Sequence, residues 1–234
     1  MHILDSILQS AAEGRKLFSV LLDPEKTVAR DLERRTRGAD FVFVGGSTGG
    51  GTSLLVNALH SQTSLPVVLF PGSADQFCPF ADALLFLSVM SSDNPEMLLH
   101  RQVEAAQTVR RSGIESIPTG YIIIDGGIDT AVARATASRP IPQSDVTRIV
   151  NTAVAAELTG KRLIYLEAGS GAKIPVSIGI IREVRKQVSV PLIVGGGICT
   201  PELMYAAFEA GADVVVVGNH LERHPEQIAL FTNP

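Results

Sequence analysis

The sequence predicts an α/β fold, a single-domain (β/α)8 TIM barrel over residues 1–234. Three observations carry this reading. Eight short runs rich in β-branched residues recur along the chain. Helical patterns lie between them. Gly14, Gly38, Gly113, Gly160 and Gly211 stand where those helices should stop, each shortly before the next run. Barrels of this kind commonly use about 200–250 residues as one domain. An open doubly wound sheet is the alternative, but eight strands in 234 residues favour closure.

In order, Ile3–Ala12 reads as a helix placed to cap the bottom of the barrel. Strands are expected at 17–22, 41–44, 66–70, 82–89, 120–124, 163–167, 191–194 and 213–217. Each is nearly continuous in apolar residues rather than alternating, as strands covered on both faces are. Leu98, Arg101, Gln102, Ala105, Ala106 and Val109 share one helix, with Pro95 near its first turn and Gly113 after its end. A helix at 144–158 has Ser144 and Asp145 as cap candidates. One at 175–187 is expected to begin with Pro175 in its first turn. The last, at 200–210, starts Thr200-Pro201-Glu202. Residues 125–142 break the pattern as a long Gly-, Ala-, Ser- and Arg-containing insertion between strand 5 and its helix.

Composition narrows the function. Apolar residues make up 45% and charged residues 19%, which excludes a disordered chain. A net charge of −4 is a poor footprint for nucleic acid, and no nucleic-acid partner is expected. No apolar run approaches the roughly 18 residues that span a bilayer. Met1-His2-Ile3-Leu4-Asp5 lacks the basic start of a signal peptide. Cys78 and Cys199 are far apart and without metal-ligand spacing, so free thiols and a cytoplasmic protein are expected.

Active sites of such barrels lie at the carboxyl ends of the strands. Strands 7 and 8 end in Gly195-Gly196-Gly197-Ile198 and Gly218-Asn219, and strand 6 in Glu167-Ala168-Gly169-Ser170-Gly171. Glycine lets backbone N–H groups approach an anion, so these three ends predict a phosphate site. Glu167 is a candidate base or hydroxyl binder, or else pairs with a basic neighbour on the rim. Tyr165 points the same way in the pleat, either packing inside the barrel or offering its hydroxyl to a ligand. Asp23 after strand 1 and Ser47 after strand 2 suit Mg²⁺ arriving with a diphosphate, which takes one or two carboxylates plus phosphate and water. Asp23 could instead cap the next helix, and Lys26 could face the loop or solvent. His220 and His224 are four apart but lack an evident acidic third ligand. The 45–51 glycine run does not end in Gly-Lys-Ser/Thr, so it is no nucleotide P-loop.

These blocks together resemble the geranylgeranylglyceryl phosphate synthases and their bacterial heptaprenylglyceryl phosphate relatives. The matching residues are Leu22-Asp23-Pro24-Glu25-Lys26, Val44-Gly45-Gly46-Ser47, Phe70-Pro71-Gly72, Gly120-Tyr121, the run from Tyr165 to Gly171, Gly195-Gly196-Gly197-Ile198 and Val217-Gly218-Asn219. They run in order through nearly the whole chain. The resemblance implies a Mg²⁺-dependent prenyltransferase that joins the C3 hydroxyl of sn-glycerol 1-phosphate to a polyprenyl diphosphate, with geranylgeranyl as the expected donor. It places Asp23 and Ser47 at the metal. It places Tyr165, Leu166, Glu167, Ala168, Gly169, Ser170, Gly171, Gly195, Gly196, Gly218 and Asn219 at the glycerol phosphate. Glu167 is then expected to accept the hydroxyl proton, with Tyr165 and Lys26 as further catalytic candidates. One departure stands out: some bacterial relatives carry Lys two residues before the Asp, where this chain has Leu21. Phe70 and Phe86 are candidates for lining the prenyl groove. Lipidic donor and product suggest transient membrane-surface contact, and apolar barrel helices with the resemblance suggest a homo-oligomer. A sugar-phosphate isomerase or aldolase and a non-catalytic phosphate-binding barrel are the competing readings.

Overall fold

The computed structural model describes residues 2–46, 50–136 and 138–232. Among them, eight parallel strands close into a barrel in sequence order. They are β1 (Leu17–Leu22), β2 (Phe41–Val44), β3 (Val67–Leu69), β4 (Ala83–Val89), β5 (Glu115–Ile123), β6 (Leu163–Glu167), β7 (Leu192–Gly195) and β8 (Val214–Val217). Leu17↔Val214 to Val20↔Val217 is the register that seals β1 to β8.

The continuous apolar runs have their cause in two cores. One fills the barrel with Leu17, Phe41, Phe43, Leu85, Tyr121 and Tyr165, among others. The other lies between sheet and helices and takes the alternate residues, such as Phe18, Val20 and Leu22 of β1. Each strand therefore buries both faces, and period-2 polarity disappears.

The helices are α1 (Ile3–Ala12), α2 (Leu32–Arg35), α3 (Thr52–Gln62), α4 (Arg101–Ser112), α5 (Ala131–Thr136), α6 (Val146–Leu158), α7 (Ile178–Gln187), α8 (Pro201–Glu209), α9 (Asn219–Arg223) and α10 (Ile228–Thr232). Helix α1 closes the amino-terminal mouth. Its Ile7 joins the barrel interior, and its free Ile3 and Leu4 N–H groups donate to the Glu115 carboxylate at 2.6 and 2.9 Å. A carboxylate there satisfies orphan donors and suits the positive end of the helix.

Several expectations are corrected. Helix α7 starts at Ile178, not at 175, because Ser177 caps it by accepting from Ile180 N–H at 3.4 Å. Asp145 rather than Ser144 caps α6, accepting from Arg148 N–H at 3.1 Å. A single π turn, Glu96–His100, leads into α4. The 125–142 insertion holds α5 and a parallel bridge between Ile124 and Ile141. Between β3 and β4 there is no α-helix, only a 3₁₀ turn at Ala74–Gln76. Beside that turn a groove reaches in between β4 and α4, lined by Leu84, Phe86, Ala105 and Val109. No helix among the described residues is long and apolar enough to cross a membrane.

Candidate functional site

The carboxyl ends of the strands open into a cavity of about 450 Å³. One flank is polar and includes Asp23, Lys26, Glu167, Ser170, Asn219 and Glu222. The other is apolar and runs between β4 and α4, past Phe77, Leu84, Phe86, Ala105 and Val109. Phe70 joins the two.

At the base, Tyr165 is fully buried. It stacks on Phe70 at 5.2 Å and meets the edge of Tyr121 at 5.3 Å. Its ring thus packs inside the barrel. Its hydroxyl lies on the Glu167 side and has no hydrogen-bond partner of good geometry. Burial first, then the charge of Glu167, pushes that phenol well above its ordinary value.

Glu167, at the last position of β6, is 6% exposed. Burial raises its carboxyl to about 7, partly offset by the Gly169 N–H, which donates to Oε1 at 2.6 Å, and by Tyr165. Such a group exchanges a proton near neutrality. No Arg or Lys pairs with it among the described residues, unlike the alternative expected for a rim glutamate.

Two glycines hold this arrangement by close approach. A Cβ on Gly195 would sit 2.5 Å from the Tyr165 hydroxyl. A Cβ on Gly196, whose φ is +83°, would sit 2.4 Å from Glu167 Oε1. Only glycine lets β7 pass this close to both acids.

Across the mouth, Asn219 opens α9. With its amide oriented to suit its surroundings, its oxygen accepts from Gly171 N–H at 3.2 Å and its nitrogen donates to Glu222 Oε2 at 3.2 Å. Ser170 Oγ lies within 2.8 Å of that amide. Glu222 then reaches β1: its Oε1 accepts the main-chain N–H of Asp23 at 2.7 Å. Burial raises the Glu222 carboxyl from its ordinary value, against the Asp23 N–H and Lys26.

Asp23 is 7% exposed. Its Oδ1 accepts from Glu25 N–H at 3.0 Å and its Oδ2 pairs with Lys26. It stabilises its own turn rather than a helix, and Lys26 turns inward toward it. Gly46 keeps space in front of Oδ1, since a Cβ there would lie 2.7 Å away. Ser47 lies outside the described residues. Among those residues, no cluster of three His, Cys, Asp or Glu side chains could hold a metal. Asp23, on the cavity wall beside Lys26, fits Mg²⁺ bound by few protein ligands and largely through water and substrate phosphate. His220 bonds Gln227 at 2.8 Å, and no third ligand joins it and His224.

The structure brings together Asp23, Lys26, Tyr165, Glu167, Gly169, Ser170, Gly171, Gly196, Gly218 and Asn219 on the cavity wall. Leu166 and Ala168 sit elsewhere, with their side chains packed in the sheet–helix core. Gly195 lies behind Tyr165. Leu21, where some relatives carry Lys, lines the cavity and faces Gly218, whose Cβ position is 3.4 Å from that of Leu21. Glu222 was not singled out from the sequence, and neither was Gln76. The buried Gln76 amide donates to Gly46 O at 2.8 Å and accepts from Gly72 N–H at 2.7 Å, tying the ends of β2 and β3. Each reaches a distant partner, Gly46 at 30 positions for Gln76 and Asp23 at 199 for Glu222, which local patterns do not reveal.

Fold and site together define a (β/α)8 barrel with a buried acid beside a glycine-lined cradle and an apolar groove next to it. The family model described as the PcrB family matches residues 10–232. The chain belongs to the PcrB family. Geranylgeranylglyceryl phosphate synthase of Zunongwangia profunda is 43% identical over 226 residues, covering 94% of this chain and 97% of that protein. The protein of the same name from Korarchaeum cryptofilum is 42% identical, covering 92% and 91%. The crystal structure of (S)-3-O-geranylgeranylglyceryl phosphate synthase from Thermoplasma acidophilum, in complex with its substrate sn-glycerol-1-phosphate, superposes with a TM-score of 0.90. It is 35% identical and 98% of each chain is covered. N-acetylmannosamine-6-phosphate 2-epimerase from Clostridium perfringens, at TM-score 0.56 and 14% identity, shares the fold alone.

Proposed function

We propose that the chain transfers a polyprenyl group from its diphosphate to the C3 hydroxyl of sn-glycerol 1-phosphate. The carrying observation is a buried carboxyl of near-neutral pKa, Glu167, set between a glycine-lined cradle and a groove of Phe77, Leu84, Phe86 and Val109. A phosphorylated polyol fits the first and an isoprenoid tail the second.

The glycerol phosphate would rest on backbone N–H groups at the ends of β7 and β8, with Ser170 and Asn219 alongside. Glu167 orients the C3 hydroxyl and takes its proton. The hydroxyl oxygen bonds to the allylic carbon, and the carbon–oxygen bond to diphosphate breaks, the electron pair leaving with diphosphate. Lys26 faces that leaving charge from the Asp23 side. Mg²⁺ held by Asp23, with Ser47 as second candidate, would supply neutralisation of the departing diphosphate. Phe70 and Tyr165 close the floor and keep water from competing for the allylic carbon.

Self-association is part of the same reading, and sedimentation would measure it. A lipidic donor and product support transient contact with a membrane surface from a cytoplasmic setting. The direct test incubates the protein with labelled sn-glycerol 1-phosphate, Mg²⁺ and a panel of prenyl diphosphates. An ether product, with diphosphate released in equal amount, supports the reading. Turnover of sugar phosphates instead, or binding without turnover, overturns it.

A further inference from the structure

The polar flank of the cavity is built from two loops that no strand pairing fixes beyond β8 and β1. One carries Asn219, with Ser170 and Gly171 around it. The other carries Asp23 and Lys26. We propose that Glu222 is a positioning residue that ties these two loops together, holding the glycerol phosphate end and the diphosphate end of the reaction in register. The proposal rests on the prenyltransferase reading of the site.

The geometry is specific. The two carboxylate oxygens of Glu222 have different duties: Oε1 takes the Asp23 main-chain N–H at 2.7 Å, and Oε2 takes the Asn219 amide at 3.2 Å. Asn219 passes the restraint on to Gly171 N–H and Ser170 Oγ of the β6 loop. One side chain thus links loops that follow β1, β6 and β8. It stands on α9, a five-residue helix begun by Asn219 itself, so both groups share a rigid base. The bond to Asp23 spans 199 positions, which makes Glu222 a cross-chain tie rather than a local cap. A charged acceptor bonds an N–H about twice as strongly as a neutral one. Glu222 lines the cavity, but both its oxygens are already engaged with protein donors. Its effect on the reaction therefore runs through Asp23 and Asn219.

Misplacing reacting groups by about 1 Å costs on the order of 100-fold in rate. Glu222→Ala releases both loops, and kcat should fall about 10- to 100-fold, with KM for sn-glycerol 1-phosphate rising only a few-fold. Glu222→Gln keeps an oxygen for the Asp23 N–H but turns an amide nitrogen, a donor, toward the Asn219 amide nitrogen, so it should recover only part of that kcat and fall between wild type and the Ala variant. Amide hydrogen exchange at Asp23 should speed up in the Ala variant and stay slow in the Gln variant, a readout that needs no turnover. Wild-type kcat in Glu222→Ala, or a Gln variant as defective as the Ala variant, overturns the proposal. If wild-type protein makes no ether yet Asp23 exchange responds as described, the tie stands and the prenyltransferase reading fails.

Discussion

Replacing Glu167 by Gln separates the chemistry of this acid from its structural cost. The folded chain holds the carboxyl at about 7, against an ordinary value of 4.5. Between those values the folded state keeps a proton that the unfolded state has lost. Stability is therefore full below pH 4.5 and falls as pH rises through about 7. The rise from 4.5 to about 7 corresponds to roughly 3 kcal/mol, most of which falls between pH 5 and pH 8. Gln is isosteric, cannot ionise, and its oxygen still accepts the Gly169 N–H. Relative to wild type, the Gln variant should thus gain on the order of 2–3 kcal/mol on going from pH 5 to pH 8. Urea unfolding at the two pH values, followed by far-ultraviolet dichroism, measures it. Prenyl transfer should meanwhile drop by about 100-fold or more. A stability difference that does not change with pH refutes the burial argument. Near-normal turnover refutes the role as base.

Other sites make separate demands. Gly196→Ala combines a left-handed φ with a Cβ 2.4 Å from Glu167 Oε1; it should cost about 1–3 kcal/mol and raise KM for sn-glycerol 1-phosphate, read by thermal unfolding and steady-state kinetics. Asp23→Asn should lower kcat/KM by about 100-fold and raise the Mg²⁺ concentration for half-maximal rate. Because the Lys26 side chain is 55% exposed, the loss of that ion pair should move stability by less than about 1 kcal/mol. Ala105→Trp should fill the groove beside Phe86, slowing transfer from long prenyl donors about 10-fold or more while calorimetric binding of sn-glycerol 1-phosphate stays as in wild type.

Much of the barrel was legible because burial on both faces writes continuous apolar runs. The strands at 17–22, 41–44 and 163–167 match the observed bounds. Strand β5 starts five residues earlier than expected, at Glu115, since Glu115, Ser116, Pro118 and Thr119 dilute its apolar signal. Those residues are held by pairing with β4 from Ala83↔Glu115 onward. The late start of α7 turns on which of two competing start signals wins: Pro175 fits a first turn, but the Ser177 hydroxyl caps. The missing helix between β3 and β4 is a tertiary fact, since Gln76 and Arg101 anchor Gly72 instead. In the site, residue types at strand ends pointed to Asp23, Glu167 and the glycine cradle. They did not separate the wall-lining members of the 165–171 block from Leu166 and Ala168, whose outward direction follows from the pleat. Nor did they reveal Glu222, whose role exists only once β1 and β8 are neighbours.

The most direct test of the site is the pH dependence of kcat/KM for prenyl transfer to sn-glycerol 1-phosphate by the wild-type protein. With Glu167 as the base, activity should rise with pH through an apparent pKa of about 7, and the residual activity of Glu167→Gln should lack that limb. A limb near the ordinary carboxylate value of 4.5, or the same limb near 7 in the Gln variant, would contradict it.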